Sequence, residues 1–197
     1  GQVDHALAML DRLIAAQPGA AQAYLEQGDL HLLKGDVAKA MQSFQRMVKS
    51  APQDAAPGHL RMATLLQAQQ KWTEAESAYR AAIAADPRFY AAYNNLAFML
   101  AERRQNLGDA QSLAQKAVEL EPEAPSSHDT LGWVLRAKGD LNGAVKWVSK
   151  AIAVNRHNPV YHYHLGILQA ERGQTAEADR SLKRALDLDP KFRQADD

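Results

Sequence analysis

The sequence predicts an all-α fold, an α-solenoid built from helix-turn-helix repeats about 34 residues long. Three registered series predict it. Ala6, Ala40, Ala75, Ala110, Ala144 and Ala178 recur at spacings of 34, 35, 35, 34 and 34. Pro18, Pro52, Pro87, Pro122, Arg156 and Pro190 each follow one of those alanines by 12 residues, and five of the six are proline. Gly28, Ala63, Ala97, Gly132 and Gly166 stand 12 or 13 residues before their alanines, and every one is small. A small residue on the first helix lets the second approach closely, and the alanine does the same in return. The proline, lacking an N–H, stops the second helix.

Taken in order, residues 1–19 read as a half repeat with only a second helix, in which Ala6, Leu10 and Leu13 are in register and Pro18 closes the helix. Complete repeats are expected at 21–54, 56–89, 90–124, 125–158 and 159–192. Residues 193–197 read as the truncated start of a further helix. Gly35, Gly139 and Gly173 fall between the two helices of their repeats, where a tight turn calls for positive φ. Two single-residue insertions interrupt the period, one near Asp54 to Pro57 and one in the Arg103–Asp109 turn, where Gly108 is displaced. Both fall between helices, where a solenoid tolerates extra length. Arg156 weakens one proline stop, and Pro159 is expected to restore it. Neither end reads as a polar capping helix, so the chain is expected to be a piece of a longer array.

Composition narrows the function. The 197 residues carry 23 Lys+Arg against 23 Asp+Glu, so there is no chain-wide basic footprint for nucleic acid. Hydrophobic residues are 46% of the chain, too many for disorder, yet no apolar run approaches the ~20 residues of a membrane span. Cysteine is absent, which excludes disulfides and thiolate metal sites. No phosphate loop, His-Glu-x-x-His pattern, EF-hand loop or nucleophile elbow occurs. His162 and His164 are two residues apart, about 200° around a helix, and cannot chelate one metal. No metal, cofactor or catalytic residue is expected, and the seven histidines read as packed or solvated.

At the level of motif the chain resembles the tetratricopeptide repeat (TPR) family. The resemblance rests on Tyr24-Gly28-Ala40-Phe44-Pro52, Tyr93-Leu96-Ala97-Ala110-Ala117-Pro122, Leu131-Gly132-Ala144-Ala151 and Leu165-Gly166-Ala178-Ala185-Pro190. It covers essentially the whole chain. It implies a right-handed superhelix whose first helices line a concave groove, with Trp72, Phe44, Tyr79, Tyr24 and Tyr93 in the core. Trp147, at position 23 of its repeat, stands beside a core position and is not placed by the pattern.

In the family, positions 2, 5, 9, 12 and 13, often with 6, face that groove. The candidate partner-binding residues implied here are Asn94, Asn95, Phe98, Asp129, Trp133, Arg136, Tyr163 and Ile167. Trp133, with Phe98 one repeat before and Ile167 one repeat after, suits an anchor, because aromatic side chains and arginine dominate interface hot spots. Asn94 and Asn95 offer amides to a bound peptide backbone. Asp129 and Arg136 are seven apart and share a helix face. Phe98 and Trp133 have an alternative role, packing against neighbouring first helices. The family's clamp for acidic chaperone C-termini needs Lys at position 5 and Asn at position 9, and no repeat has them.

Tyr93-Asn94-Asn95-Leu96-Ala97 and Asp129-Thr130-Leu131-Gly132-Trp133-Val134-Leu135 are similar to bacterial TPR lipoproteins associated with exopolysaccharide export and PEP-CTERM sorting. That resemblance favours a periplasmic or envelope location over the cytoplasm, and nothing else in the sequence bears on compartment. The expected function is a non-catalytic scaffold that binds a peptide or helix of a partner protein in the groove. Two alternatives stand beside it. One is self-association through the terminal helices. The other is a substrate-docking arm of an enzyme whose catalytic domain lies elsewhere.

Overall fold

Pairs of helices build the molecule, and five of the eleven described helices end in a matched pair of backbone hydrogen bonds. The computed structural model describes residues 1–191 of the chain, so the expected helix start at 193–197 lies outside the described residues. Among the described residues there are eleven α-helices, one short 3-10 turn and no strand. The chain divides into two compact units, the first Gly1–Ala92 and the second beginning at Tyr93.

The first unit holds α1 (Gln2–Ala16), α2 (Ala21–Leu33), α3 (Val37–Ser50), α4 (Ala55–Ala68) and α5 (Trp72–Ala85). Here α2 pairs with α3 and α4 with α5, while α1 packs on α2 and α3 packs on α4. The second unit holds α6 (Tyr90–Glu102) from Tyr93 onward, α7 (Leu107–Leu120), α8 (Pro125–Ala137), α9 (Leu141–Val154), α10 (Pro159–Glu171) and α11 (Thr175–Leu188). In it α8 pairs with α9 and α10 with α11, α7 packs on α8 and α9 on α10.

The small residues of the series do the packing. Ala40, Ala75, Ala110 and Ala144 are wholly buried. At Gly28 a methyl group would lie 2.2 Å from the Phe44 ring, at Gly132 2.7 Å from Val148, and at Gly166 2.7 Å from Leu182. The large core residues fill the remaining volume, with Tyr24, Phe44 and Tyr79 buried in the first unit. Their polar ends find partners, as burial requires. The Tyr24 hydroxyl donates to the Pro18 carbonyl (3.0 Å) and the Tyr79 hydroxyl to Gln67 Oε1 (2.7 Å).

Each first helix ends in the same turn. Gly35, Gln70, Arg104, Gly139 and Gly173 all have positive φ, between 49° and 88°. Each donates its N–H three residues back, and the next residue donates five back, as in Gly35 to Leu32 (2.9 Å) and Asp36 to His31 (2.8 Å). This pair of bonds satisfies orphan carbonyls at the helix end. The three glycines stand where the sequence calls for positive φ, and Gln70 and Arg104 adopt it without glycine's freedom. Of the two irregular places, the one after Pro52 is the 3-10 turn Pro52–Asp54, which runs directly into α4. The other lengthens the turn before α7 and adds a second left-handed residue, Asn106 at φ 46°.

Where Arg156 replaces proline, α9 still ends at Val154. The Asn155 side chain accepts the His157 N–H (3.2 Å), as Asp86 accepts from Arg88 (2.8 Å) and Asp189 from Lys191 (2.9 Å). This side-chain turn closes the helix without proline. Pro159 then opens α10 at its first turn, where a missing N–H costs nothing.

Candidate functional site

A buried carboxylate–imidazole pair organises the second unit. On α8, Asp129 places both carboxylate oxygens 2.9 Å from Nδ1 of His164 on α10. The side chains are 7% and 1% exposed. A carboxylate only accepts, so Nδ1 carries the proton in this hydrogen bond. The ring's other nitrogen, Nε2, is buried with no hydrogen-bond partner.

Aromatic rings gather on that imidazole. Trp133 of α8 stacks on it with centroids 4.0 Å apart at 24°. Phe98 of α6 lies 6.4 Å away and Tyr163 of α10 6.0 Å away. The Arg136 guanidinium lies 4.3 Å from the Trp133 ring centroid, while its Nε donates to Glu171 of α10 (2.9 Å). The Trp133 indole N–H donates to Glu102 of α6. Thus Trp133, expected from the sequence as an anchor for a bound partner, is itself held by a histidine, an arginine and a glutamate, and is 7% exposed. It tiles against the neighbouring first helices, the alternative role that the sequence also leaves open.

Of the eight sequence candidates, Phe98, Asp129, Trp133, Arg136 and Tyr163 come together around His164. Asn94 and Asn95 are half-buried on α6 and bond to each other, Asn94 Nδ2 donating to Asn95 Oδ1 (3.2 Å). Ile167 is half-buried four residues after Tyr163, on the same face of α10. Asp129 and Arg136 do share a face of α8, and each reaches α10.

Sequence reasoning missed three members, His164, Glu102 and Glu171. The available signal was complementary polar residues at groove positions of adjacent repeats. Asp129 and His164 are 35 apart, as are Arg136 and Glu171, and Trp133 lies 31 after Glu102. The first unit shows the same device, Arg61 of α4 gripping Asp29 of α2 through two bonds of 2.9 and 3.0 Å.

A second histidine sits elsewhere in this unit. His128 of α8 is buried, 5.4 Å from the Trp147 ring of α9, and Lys150 lies 4.0 Å from that ring's centroid. Burial, then the Lys150 charge, pushes the His128 pKa below its ordinary value. Among the described residues no group of three or more His, Asp or Glu side chains is arranged to hold a metal ion. No described helix is long and apolar enough to cross a membrane.

Comparisons with known proteins agree with this architecture. Family models described as tetratricopeptide repeat match residues 1–55, 60–125, 97–159 and 160–192. A TPR repeat-containing protein of Pseudomonas aeruginosa is 31% identical over 153 residues, 77% of this chain. The chain spans about a quarter of that relative, 26% of its length. Among solved structures, the APC/C hetero-tetramer Cut9–Hcn1 superposes with a TM-score of 0.81 at 19% identity, covering 98% of this chain and 38% of that one. YrrB, described as a TPR protein with an unusual peptide-binding site, superposes with a TM-score of 0.65 at 18% identity over 93% of each chain. With the registered small residues, the repeated turn and family models along nearly its whole length, this chain belongs to the tetratricopeptide repeat family.

Proposed function

We propose that the chain is a non-catalytic protein-interaction scaffold, and that the strip on α6, α8 and α10 receives a peptide or helix of a partner protein. The carrying observation is the buried Asp129–His164 pair with Trp133 clasped over it. It ties α8 to α10, and the Glu102 and Arg136 bonds brace it from both sides. A strip braced in this way needs little ordering when a partner arrives, which removes part of the entropic cost of binding. The half-buried Asn95, Phe98, Tyr163 and Ile167 supply its contact surface, two aromatic rings and an aliphatic side chain beside an amide. Trp133 acts as the support beneath this surface rather than as the contact itself. A bacterial envelope or export assembly is the proposed setting, supported by the resemblance of Tyr93–Ala97 and Asp129–Leu135 to such proteins. The peptide-binding site in the name of the YrrB relative supports the class of ligand.

The test compares wild type with an Asn95→Ala/Ile167→Arg double variant, both shown to be folded by circular dichroism, as baits in bacterial extract. A protein recovered on wild type and depleted at least tenfold on the variant supports the strip. Equal recovery on the two baits sinks it.

A further inference from the structure

The first helices of the second unit are poor in charge. Outside their histidines, α6, α8 and α10 carry four formally charged side chains, Glu102, Asp129, Arg136 and Glu171. Each is engaged within the unit. Asp129 is buried against His164, Arg136 donates to Glu171, and Glu102 accepts the indole N–H of Trp133. Glu102, Arg136 and Glu171 also stand in the last two residues of their helices, with Glu102 and Glu171 one turn beyond Phe98 and Ile167. The middle of the strip, Asn95, Phe98, Tyr163 and Ile167, offers an amide, two rings and an aliphatic chain.

The same positions of the repeat read differently in the first unit. Asn95 corresponds to Glu26 of α2 and Arg61 of α4, and Phe98 and Ile167 correspond to Asp29 and Thr64. Arg61 and Asp29 bond to each other at 45% and 41% exposure, so the fold accepts charge at these places. In the second unit it is absent from them. A charged side chain laid over Phe98, Tyr163 and Ile167 would leave water and meet no partner, which is strongly unfavourable. An apolar side chain there gains with the area it covers. Asn95 Oδ1 accepts from Asn94, which leaves the Asn95 Nδ2 protons to donate to a ligand's acceptor. A backbone carbonyl is such an acceptor, and every peptide has one whatever its side chains.

We propose that the strip on α6, α8 and α10 selects a partner segment with no charged side chain over Asn95, Phe98, Tyr163 and Ile167, an apolar stretch held by its backbone at Asn95. The charge balance of the strip sets that choice, since its ionised groups are spent on one another and on Trp133. This inference rests on the reading of the strip as the binding surface, and adds which segments that surface admits and which it rejects.

In the experiment the whole chain, immobilised, selects from a phage-displayed library of random peptides. Each recovered peptide is tested again on the folded Asn95→Ala/Ile167→Arg variant, and those that lose binding are kept as strip-dependent. The expected result is a common stretch in which Asp, Glu, Lys and Arg are depleted at least about tenfold against the unselected library. Asn95→Asp keeps the shape of the side chain and the bond from Asn94 while adding a carboxylate, and should admit Lys or Arg into that stretch. Ile167→Glu serves the same purpose if Asn95→Asp does not fold. Strip-dependent peptides that keep charged residues at library frequency would overturn the selectivity and leave the strip as a binding surface. A folded carboxylate variant that selects the same uncharged peptides as wild type would overturn it as well, because charge at the strip would then not set the choice. Recovery of no strip-dependent peptide would overturn the selectivity together with the reading on which it rests.

Discussion

Gln70 and Arg104 hold a backbone conformation that glycine takes in the other three turns, at φ 58° and 49°. A side chain there costs about 1–2 kcal/mol relative to the right-handed region. Glycine would remove that strain but raise the entropy lost on folding by about 0.5–1 kcal/mol. Gln70→Gly is therefore expected to stabilise the chain by about 0.5–1 kcal/mol, seen as a higher urea midpoint with an unchanged slope. A lower midpoint would mean that the side chain earns its place through contacts. The glycines of the helix contacts obey the opposite logic. A methyl at Gly132 would meet Val148 at 2.7 Å and the Ala144 carbonyl at 3.0 Å, and that carbonyl belongs to the helix backbone and cannot step aside. Gly132→Ala should cost about 1–3 kcal/mol. Gly108→Ala, with nothing within 4 Å, should cost nothing measurable in the same denaturation series.

At the scale of the elements, α8 and α10 are joined by a buried ionisable pair whose members make opposite demands. Each alone would be a polar group stranded from water, and together they satisfy one another except at His164 Nε2. Removing one partner of such a pair typically costs about 3–5 kcal/mol, while replacing both by apolar groups is far cheaper. His164→Leu and Asp129→Leu should each fall in that range, and the double variant should recover most of the loss. A double-mutant cycle by urea unfolding measures this, and strictly additive losses would show that the pair contributes no coupling. The same cycle bears on the strip, because the clasp on Trp133 rests on the His164 ring.

Across the whole molecule the formal net charge is zero at pH 7 with the seven histidines neutral, so histidines are the first side chains to respond to mild acid. His59 in the first unit and His128 in the second both have pKa values lowered by burial, with Lys150 adding to the effect at His128. A depressed histidine pKa means that the unfolded chain takes up a proton before the folded one does. Stability is then full above the ordinary histidine range and falls as the pH drops through it. His128→Gln, uncharged at every pH, should flatten the fall between pH 7 and 5, followed by urea midpoints at each pH. An identical slope in the variant would assign the acid limb to other groups.

The sequence by itself determined the family, the helical class and the places where helices touch, because those depend on residues that recur with the period. A small residue at a helix contact and a proline after a helix leave the same signature in every repeat, whatever surrounds them. Gly35, Gly139 and Gly173 announced their turns for that reason, and the irregular spacing announced the longer turn before α7 and an interruption near Asp54 to Pro57, where the structure has the turn Pro52–Asp54 and already begins α4 at Ala55. The groove row was legible only as a set of positions. What Trp133 does with its faces was not, since His164 lies 31 residues further on and Glu102 31 before, at groove positions whose residue types differ from repeat to repeat. Tertiary structure alone places Trp133 against His164, Glu102 and Arg136, the contacts on which its proposed supporting role rests. It alone turned Asp129 from a candidate groove contact into half of a buried pair. The physical reason is common to both. Periodic residues report contacts made the same way in each repeat, whereas a site is built from residues that differ between repeats, and their partners are fixed only when the helices stack.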